Sequence, residues 1–288
     1  MRIGGRRSSN IEDRRGSRVI GRKGTLGIGG IVIALAAAWL LGVDPQTALR
    51  VVSQVQPSGQ QQTTDGGPVQ ESSSEAAARE LVSVVLADTE DTWHAIFSAG
   101  GAQYREPVLV LFRGSTETAC GTGQSAMGPF YCGADQKVYI DLGFYDELQG
   151  RFRAPGDFAQ AYVIAHEIGH HVQNLLGISG KVHQQQQRLN ETEGNALSVR
   201  LELQADCLAG VWAFHAQRSR QLLEAGDVEE ALGAASAIGD DTLQKNARGY
   251  AVPDSFTHGS SAQRVRWFKT GMQNGTIGSC DTFAAGTL

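Results

Sequence analysis

The sequence lacks a basic surplus beyond its first residues and lacks the cysteine patterns that hold structural metals. The 288-residue chain has a formal charge of −5, and its first 23 residues alone carry +6, which leaves −11 on residues 24–288. An acidic body does not attract phosphates, so nucleic acid is not an expected partner. No CxxC or CxH pattern occurs among the four cysteines. This absence excludes a structural zinc site built on cysteine.

One long apolar run follows the basic start. Gly24–Val43 contains 20 residues without a charge, and a helix of that length rises about 30 Å, enough to cross a bilayer. The basic residues before it predict a cytoplasmic N-terminus. A cleaved signal peptide and a buried core helix are the alternatives, but Trp39-Leu40-Leu41 before Gly42 makes a poor cleavage site. We expect a cytoplasmic basic segment over residues 1–23 and a transmembrane helix over 24–43.

The remainder divides into a tether and a domain. Residues 44–75 are rich in Gln, Ser, Gly and Thr, a composition typical of a flexible linker. Residues 76–288 form the predicted domain, which a single span places outside the cytoplasm. Disulfides are permitted there, and Cys120–Cys132 and Cys207–Cys280 are the expected pairs.

Periodicity predicts a mostly helical α+β domain with a small sheet and no internal repeat. Apolar runs at residues 107–112 and 137–142 indicate strands. Ala159–Leu176 is the strongest predicted helix, with Asp157 as N-cap and Gly177 as its stop. A second long helix is predicted over Asn195–Arg220.

The first of these helices contains the pattern His-Glu-x-x-His at His166, Glu167 and His170. Residues i and i+4 share a helix face, so the two imidazoles can meet one Zn²⁺ ion. Glu167 can then take the proton of a water that the metal activates. Two surface histidines are the alternative, but Ala165, Ile168 and Gly169 around them favour a buried helix.

A third ligand is needed, and the metzincin pattern is excluded because Gln173 and Leu176 stand where it has Gly or His. Glu202 of the later helix is the predicted ligand, with Asp206 one turn on to accept a hydrogen bond from a ligating imidazole. The alternative for Glu202 is a solvated helix charge. Glu191 and Glu193 compete for the role but lack a paired aspartate.

His258 and Arg264 precede and open the last predicted helix. Either side chain could donate a hydrogen bond to the oxyanion of a tetrahedral intermediate. Arg264 could equally form a buried ion pair in the core, and the residues alone leave the two roles open.

The segments HEIGHHVQN, ELQADCLAGVW, GPFYCGADQKVYID and THGSSAQR together resemble the bacterial neutral zinc metallopeptidases, a family of YpfJ-like membrane proteins. The pairing of HExxH with ExxAD is also similar to the membrane-associated gluzincins. The resemblance implies a zincin-type fold, one Zn²⁺ ion, His166, His170 and Glu202 as ligands, and Glu167 as base. It further implies that the strand near Tyr131–Asp141 forms the edge along which an extended peptide lies.

The expected function is that of a single-pass, membrane-anchored zinc metallopeptidase, with a protein or peptide substrate and the lipid bilayer as partners. A zinc-stabilised, non-catalytic membrane module that binds partners is the alternative from another class. It would use the same ligands but would need no base at Glu167. A soluble cytoplasmic hydrolase is a third hypothesis, which requires the apolar run to be a core helix.

Overall fold

A computed structural model describes residues 1–16 and 69–288 of the chain. Met1–Arg15 and Gln70–Leu288 form one compact unit. This unit is α+β and mostly helical, as the sequence predicts. Its eight described α-helices are α1 (Ser73–Ala99), α2 (Gly143–Gly150), α3 (Asp157–Leu175), α4 (Ile178–Gln186), α5 (Glu191–Arg220), α6 (Asp227–Ala237), α7 (Asp240–Arg248) and α8 (Ser261–Asn274).

The six described strands form two sheets: β1 (Ile11–Asp13), β2 (Val108–Phe112), β3 (Ser115–Thr118), β4 (Gly121–Gln124), β5 (Phe130–Cys132) and β6 (Lys137–Asp141). The larger sheet has the order β1-β2-β6-β5, in which β1, β2 and β6 are parallel and β5 runs antiparallel along the edge. Strands β3 and β4 pair as a separate hairpin. Strands β4 and β5 occupy much of the stretch between Cys120 and Cys132.

Local signals set the ends of the two long helices that matter for the site. Helix α3 is followed by Gly177 in a left-handed conformation (φ 71°), which suits a residue without Cβ. Asp157 is the first helical residue of α3, and Gly156 takes the N-cap position that was predicted for Asp157. Helix α5 begins at Glu191, earlier than predicted, because Asn190 and Glu193 form a capping box that satisfies two orphan backbone donors.

Glycines bring α5 and α8 into backbone contact. A Cβ added at Gly271 of α8 would lie 1.8 Å from the carbonyl oxygen of Cys207, and one at Gly210 of α5 would lie 2.1 Å from that of Phe268. Both predicted disulfides are confirmed: Cys207–Cys280 ties α5 to the chain after α8, and Cys120–Cys132 closes the β4–β5 region.

The first fifteen residues differ from the prediction of a separate basic segment. Ile11, Glu12 and Asp13 pair in parallel with Leu109, Val110 and Leu111, so this stretch supplies an edge strand of the domain. The α-amino group of Met1 lies 2.6 Å from Asp157 Oδ1, at the start of α3. The predicted boundary at residue 76 therefore omits part of the compact unit, because the pairing partners are about a hundred residues away and no local pattern marks them.

Within the two described ranges, no helix is both long and apolar enough to cross a membrane. The predicted transmembrane helix over 24–43 lies outside the described residues, as does the predicted linker up to residue 68. Residues 73–75 at the end of that linker already belong to α1.

We expect Gly271→Ala to destabilise the protein by about 1–3 kcal/mol, because the added methyl overlaps backbone atoms of α5. Gly233→Ala is the matched control: its Cβ would meet nothing within 4 Å, so it should stabilise α6 by about 0.5–1 kcal/mol. Urea unfolding with the disulfides intact measures both. Equal unfolding midpoints for the two variants would contradict the close approach.

Candidate metal centre

Helices α3 and α5 bring three potential metal ligands together. His166 Nε2 lies 3.2 Å from His170 Nε2 and 3.2 Å from Glu202 Oε2. His170 Nε2 lies 3.4 Å from Glu202 Oε1. The helical repeat places the two histidines one turn apart on α3, and α5 crosses close enough for Glu202 to reach both.

These separations suit a tetrahedral zinc ion. Ligand atoms that are each about 2.0–2.1 Å from such an ion stand about 3.3–3.4 Å from one another. The close crossing depends on Gly169, where an added Cβ would lie 2.8 Å from the carbonyl oxygen of Ala205. The small residues beside the histidines thus serve the approach of another helix, as the sequence predicts.

The second nitrogen of each imidazole is already engaged. His166 Nδ1 lies 2.9 Å from Asp206 Oδ1, and His170 Nδ1 lies 2.9 Å from Gln173 Oε1. Gln173 is itself held by a 2.6 Å hydrogen bond to the carbonyl of Leu201. Since oxygen acceptors draw the proton to Nδ1 in each ring, both Nε2 lone pairs face the same point as the Glu202 carboxylate. These three atoms could together hold a metal ion, and the donor set is one that zinc accepts.

Arg264 pairs with Asp206, beside the three potential ligands His166, His170 and Glu202 (the ligand triangle). Its side chain is buried, and Nε and Nη2 lie 2.8 and 2.9 Å from the two oxygens of Asp206, with Nη2 also 3.4 Å from His166 Nδ1. The ion-pair alternative therefore describes Arg264, and an oxyanion role for it stays a prediction. Asp206 lies in the core between α3 and α8, so its negative charge must be balanced there by a buried cation.

The charges of the site oppose the effect of burial. Burial lowers the pKa of His166, but the neighbouring Asp206 and Glu202 raise it to about 10. For Glu202, burial raises the pKa, but His170 and His166 lower it by more. The net result is a pKa well below the usual range. For Asp206, burial raises the pKa, and Arg264 with His166 lowers it to about 2. The carboxylates are ionised at neutral pH and favour a cation at the imidazoles.

Glu167 lies beside the triangle with a free carboxylate. The residue is buried, and within the described part of the chain no group hydrogen-bonds to its side chain. Burial raises its pKa, and the positive charges of His166 and His170 oppose the rise. A buried carboxylate with a raised pKa can accept a proton and later release it.

His258 is held next to α5 by Asp240. Its Nδ1 lies 3.4 Å from Asp240 Oδ1, and the backbone amides of residues 257–259 all donate to Asp240 Oδ2. The side chain is about half exposed (52%). The hydrogen bond to Asp240 raises the pKa of His258, burial lowers it, Glu202 raises it and Arg264 lowers it, with a net upward shift. His258 therefore lies within electrostatic range of Glu202, and Asp240 favours its protonated form.

The edge strand β5 is linked to α3 through His171. His171 Nε2 donates to the carbonyl of Arg105 at 2.6 Å. The hydroxyl of Tyr131 in β5 donates to His171 Nδ1 at 3.0 Å and accepts from Asn174 Nδ2 at 3.1 Å. Burial lowers the pKa of His171 to about 4, so the ring is neutral. The sheet edge is thereby fixed beside the helix that carries the ligands.

Three supporting residues were not predicted. Tyr162 hydrogen-bonds Asp206 and stands four residues before His166, so helical spacing could have revealed it. Gln173 stands three residues after His170 and could have been found in the same way. Asp240 gave no signal, because its partner His258 is distant in sequence. Among the competing ligands, Glu193 serves the cap of α5, away from the triangle.

Two histidines from one helix and a glutamate from another, beside a buried glutamate, form a donor set typical of metal-dependent hydrolases. Residues 1–283 match the family model described as "Putative neutral zinc metallopeptidase". The chain belongs to this family of zinc metallopeptidases, as the sequence resemblance predicts.

Relatives support the same assignment over nearly the whole length. The chain is 52% identical to "Uncharacterized protein YpfJ" of Escherichia coli strain K12, covering 98% of this chain and 99% of that protein. It is 40% identical to "Uncharacterized protein Mb2605" of Mycobacterium bovis, covering 87% and 86%. No solved structure matches the chain.

We expect His166→Ala and His170→Ala to lose bound zinc, because each removes one corner of the triangle. The parent should retain about one ion per chain, as a three-ligand catalytic site does. Metal content after dialysis, measured by mass spectrometry, tests this. His183→Ala is the control, since His183 is exposed and hydrogen-bonds only Gln187 among the described residues. Unchanged occupancy in the first two variants would rule out this site.

Proposed function

We propose that the protein is a zinc-dependent peptidase that hydrolyses peptide bonds, with a fold of the zincin type. The observation that carries the proposal is the ligand triangle of His166, His170 and Glu202 with the free carboxylate of Glu167 beside it. A single Zn²⁺ ion in the triangle would act as a Lewis acid and lower the pKa of a water molecule. Membership of the zinc metallopeptidase family supports the metal and the reaction class.

Glu167 acts as general base and then as general acid. Its carboxylate takes a proton from the attacking water and delivers it to the leaving amine. Burial raises the pKa of Glu167. A carboxyl group whose pKa is shifted towards neutral pH can both accept a proton and release it during the reaction. Asp206 orients His166, and Arg264 and Tyr162 hold Asp206 in turn.

His258 stabilises the oxyanion that forms when water attacks the peptide carbonyl. The Asp240 carboxylate favours its protonated state, and its half-exposed position next to α5 leaves it accessible to substrate. Donors aimed at a developing oxyanion lower the barrier because they need little reorganisation during the reaction.

The substrate binds as an extended peptide along β5. This strand forms one edge of the larger sheet, and the bonds of Tyr131 to α3 keep that edge close to the ligands. An extended segment can add to such an edge through backbone hydrogen bonds. We take protein or peptide chains, and not nucleic acid, as the substrate class.

The non-catalytic binding module has the same ligands but gives Glu167 no role. A buried carboxylate without a partner costs stability, and a purely structural metal site has no need of one. The free state of Glu167 therefore favours the enzyme.

The peptidase domain is proposed to lie outside the cytoplasm on a membrane-anchored chain. Two disulfides support an oxidising compartment, and the 20-residue apolar run Gly24–Val43 has the length of a membrane span. The lipid bilayer is then the second partner of the protein.

Glu167→Gln should keep its zinc but lose hydrolysis, because the amide preserves the shape of the side chain and cannot accept the proton. Cleavage of casein or a peptide library, with metal content measured in parallel, tests this. Glu191→Gln, at an exposed position in the first turn of α5, should behave like the parent. An active, metal-loaded Glu167→Gln protein would refute the mechanism.

His258→Gln should lower kcat about 10²–10³-fold with metal content unchanged, as expected for one oxyanion donor. Protonated His258 is the active form, so activity in the parent should fall as pH rises through its raised pKa. Asp240→Asn should move this alkaline limb to lower pH, since it removes the charge that raises the pKa. A pH profile of kcat measures both, and an unchanged limb in Asp240→Asn would exclude the role.

A further inference from the structure

Met1–Arg15, here termed the N-terminal arm, is bonded to the domain along most of its length. Beyond the residues of β1 itself, the arm makes four further backbone hydrogen bonds to distant parts of the domain. Ser8 N donates to Ser83 O at 2.9 Å and Arg2 N donates to Leu222 O at 2.9 Å. On either side of β1, Arg14 N donates to Leu111 O and Asn10 O accepts from Leu109 N, both at 2.8 Å. The arm is therefore part of the folded unit and not an extension of it.

The arm also satisfies a charge inside the domain. Glu90 of α1 is fully buried, and all of its described side-chain hydrogen bonds come from the arm. Ser8 Oγ donates at 2.5 Å, Arg6 Nη2 at 2.8 Å and Asn10 Nδ2 at 2.9 Å. The arm therefore supplies every described partner of a carboxylate that would be unfavourable at this buried position without donors.

The basic side chains of the arm are paired within the same unit. Arg7 pairs with Glu80 of α1. Arg15 is buried and lies 2.8 Å from Glu71 Oε1, and Arg6 Nη2 also lies 2.9 Å from Asp91 Oδ1. Arg6, Arg7 and Arg15 therefore pair with carboxylates on α1 or just before it, which gives the charges of these three residues a structural explanation.

From these contacts we infer that the N-terminal arm and the peptidase domain lie on the same side of the membrane. Neighbouring strands are about 4.8 Å apart, whereas the hydrocarbon core is about 30 Å thick, so β1 and β2 cannot pair across it. A single crossing by residues 24–43 would separate the two strands. The chain from residue 17 to residue 68 therefore begins and ends on one side. A single complete span over residues 24–43 does not fit this arrangement, and neither does a cytoplasmic N-terminus combined with an extracytoplasmic domain. The membrane attachment proposed above would then have to hold without a net crossing of the bilayer.

Two single cysteine reporters in the full-length chain test the inference. Ile3→Cys lies in the arm and Met127→Cys in the domain, at side chains that are 49% and 66% exposed. Cells expressing each variant are treated with a membrane-impermeant maleimide, and labelling is compared with that after permeabilisation. We expect the same labelled fraction at both positions. Labelling at one position with protection at the other would overturn the inference.

A result that is the same for both reporters also distinguishes this inference from the proposal that the domain lies outside the cytoplasm. Labelling of both reporters supports a shared side outside the cytoplasm. Protection of both supports the shared side but places the domain in the cytoplasm, which would overturn the extracytoplasmic proposal alone. Neither result depends on peptidase activity.

A stability measurement tests the contacts themselves. The double variant Ser8→Ala/Asn10→Ala should unfold at a clearly lower urea concentration than the parent, because Glu90 loses two of its donors. Arg2→Ala is the control in the same arm, since its side chain is exposed and lies 3.9 Å from Glu224. Identical midpoints for all three proteins would show that the arm is not integrated and would overturn the inference.

Discussion

The buried carboxylate of Asp206 joins the three helices on which the metal centre depends. It belongs to α5, accepts hydrogen bonds from His166 and Tyr162 of α3, and forms a two-point ion pair with Arg264 of α8. A carboxylate in this position is unfavourable unless every lone pair is satisfied. The requirement couples the orientation of a ligating imidazole to the packing of α8, a helix that supplies none of the three ligands.

Close backbone contact makes this coupling geometrically possible. Gly169 allows α3 to approach α5, and Gly271 allows α8 to approach α5 from another direction. Helices held this close keep Glu202 within reach of both histidines. The disulfide between Cys207 and Cys280 links α5 covalently to the chain that follows α8. The three metal ligands therefore lie on closely packed helices. His258, by contrast, lies on a connecting segment and is held mainly by Asp240.

The N-terminal arm shows how a charge pattern acquires a different meaning in three dimensions. Its arginines precede an apolar run, and in the linear sequence that arrangement predicts an orientation signal. In the folded unit, Arg6, Arg7 and Arg15 instead pair with carboxylates near or on α1. The family match includes the arm, since it covers residues 1–283.

The helices, strands and paired site residues that the sequence predicted by itself all follow from local periodicity. The spacing of His166 and His170, and that of Glu202 and Asp206, places each pair on one helix face because an α-helix repeats every 3.6 residues. The helix ends at Gly177 and the strands at residues 108–112 and 137–141 follow from equally local signals. Only the tertiary structure decided the role of Arg264, the support of His258 by Asp240 and the place of β1 beside β2. Each of these depends on groups far apart in the chain, and their meeting is set by how whole elements pack, which no short-range pattern encodes.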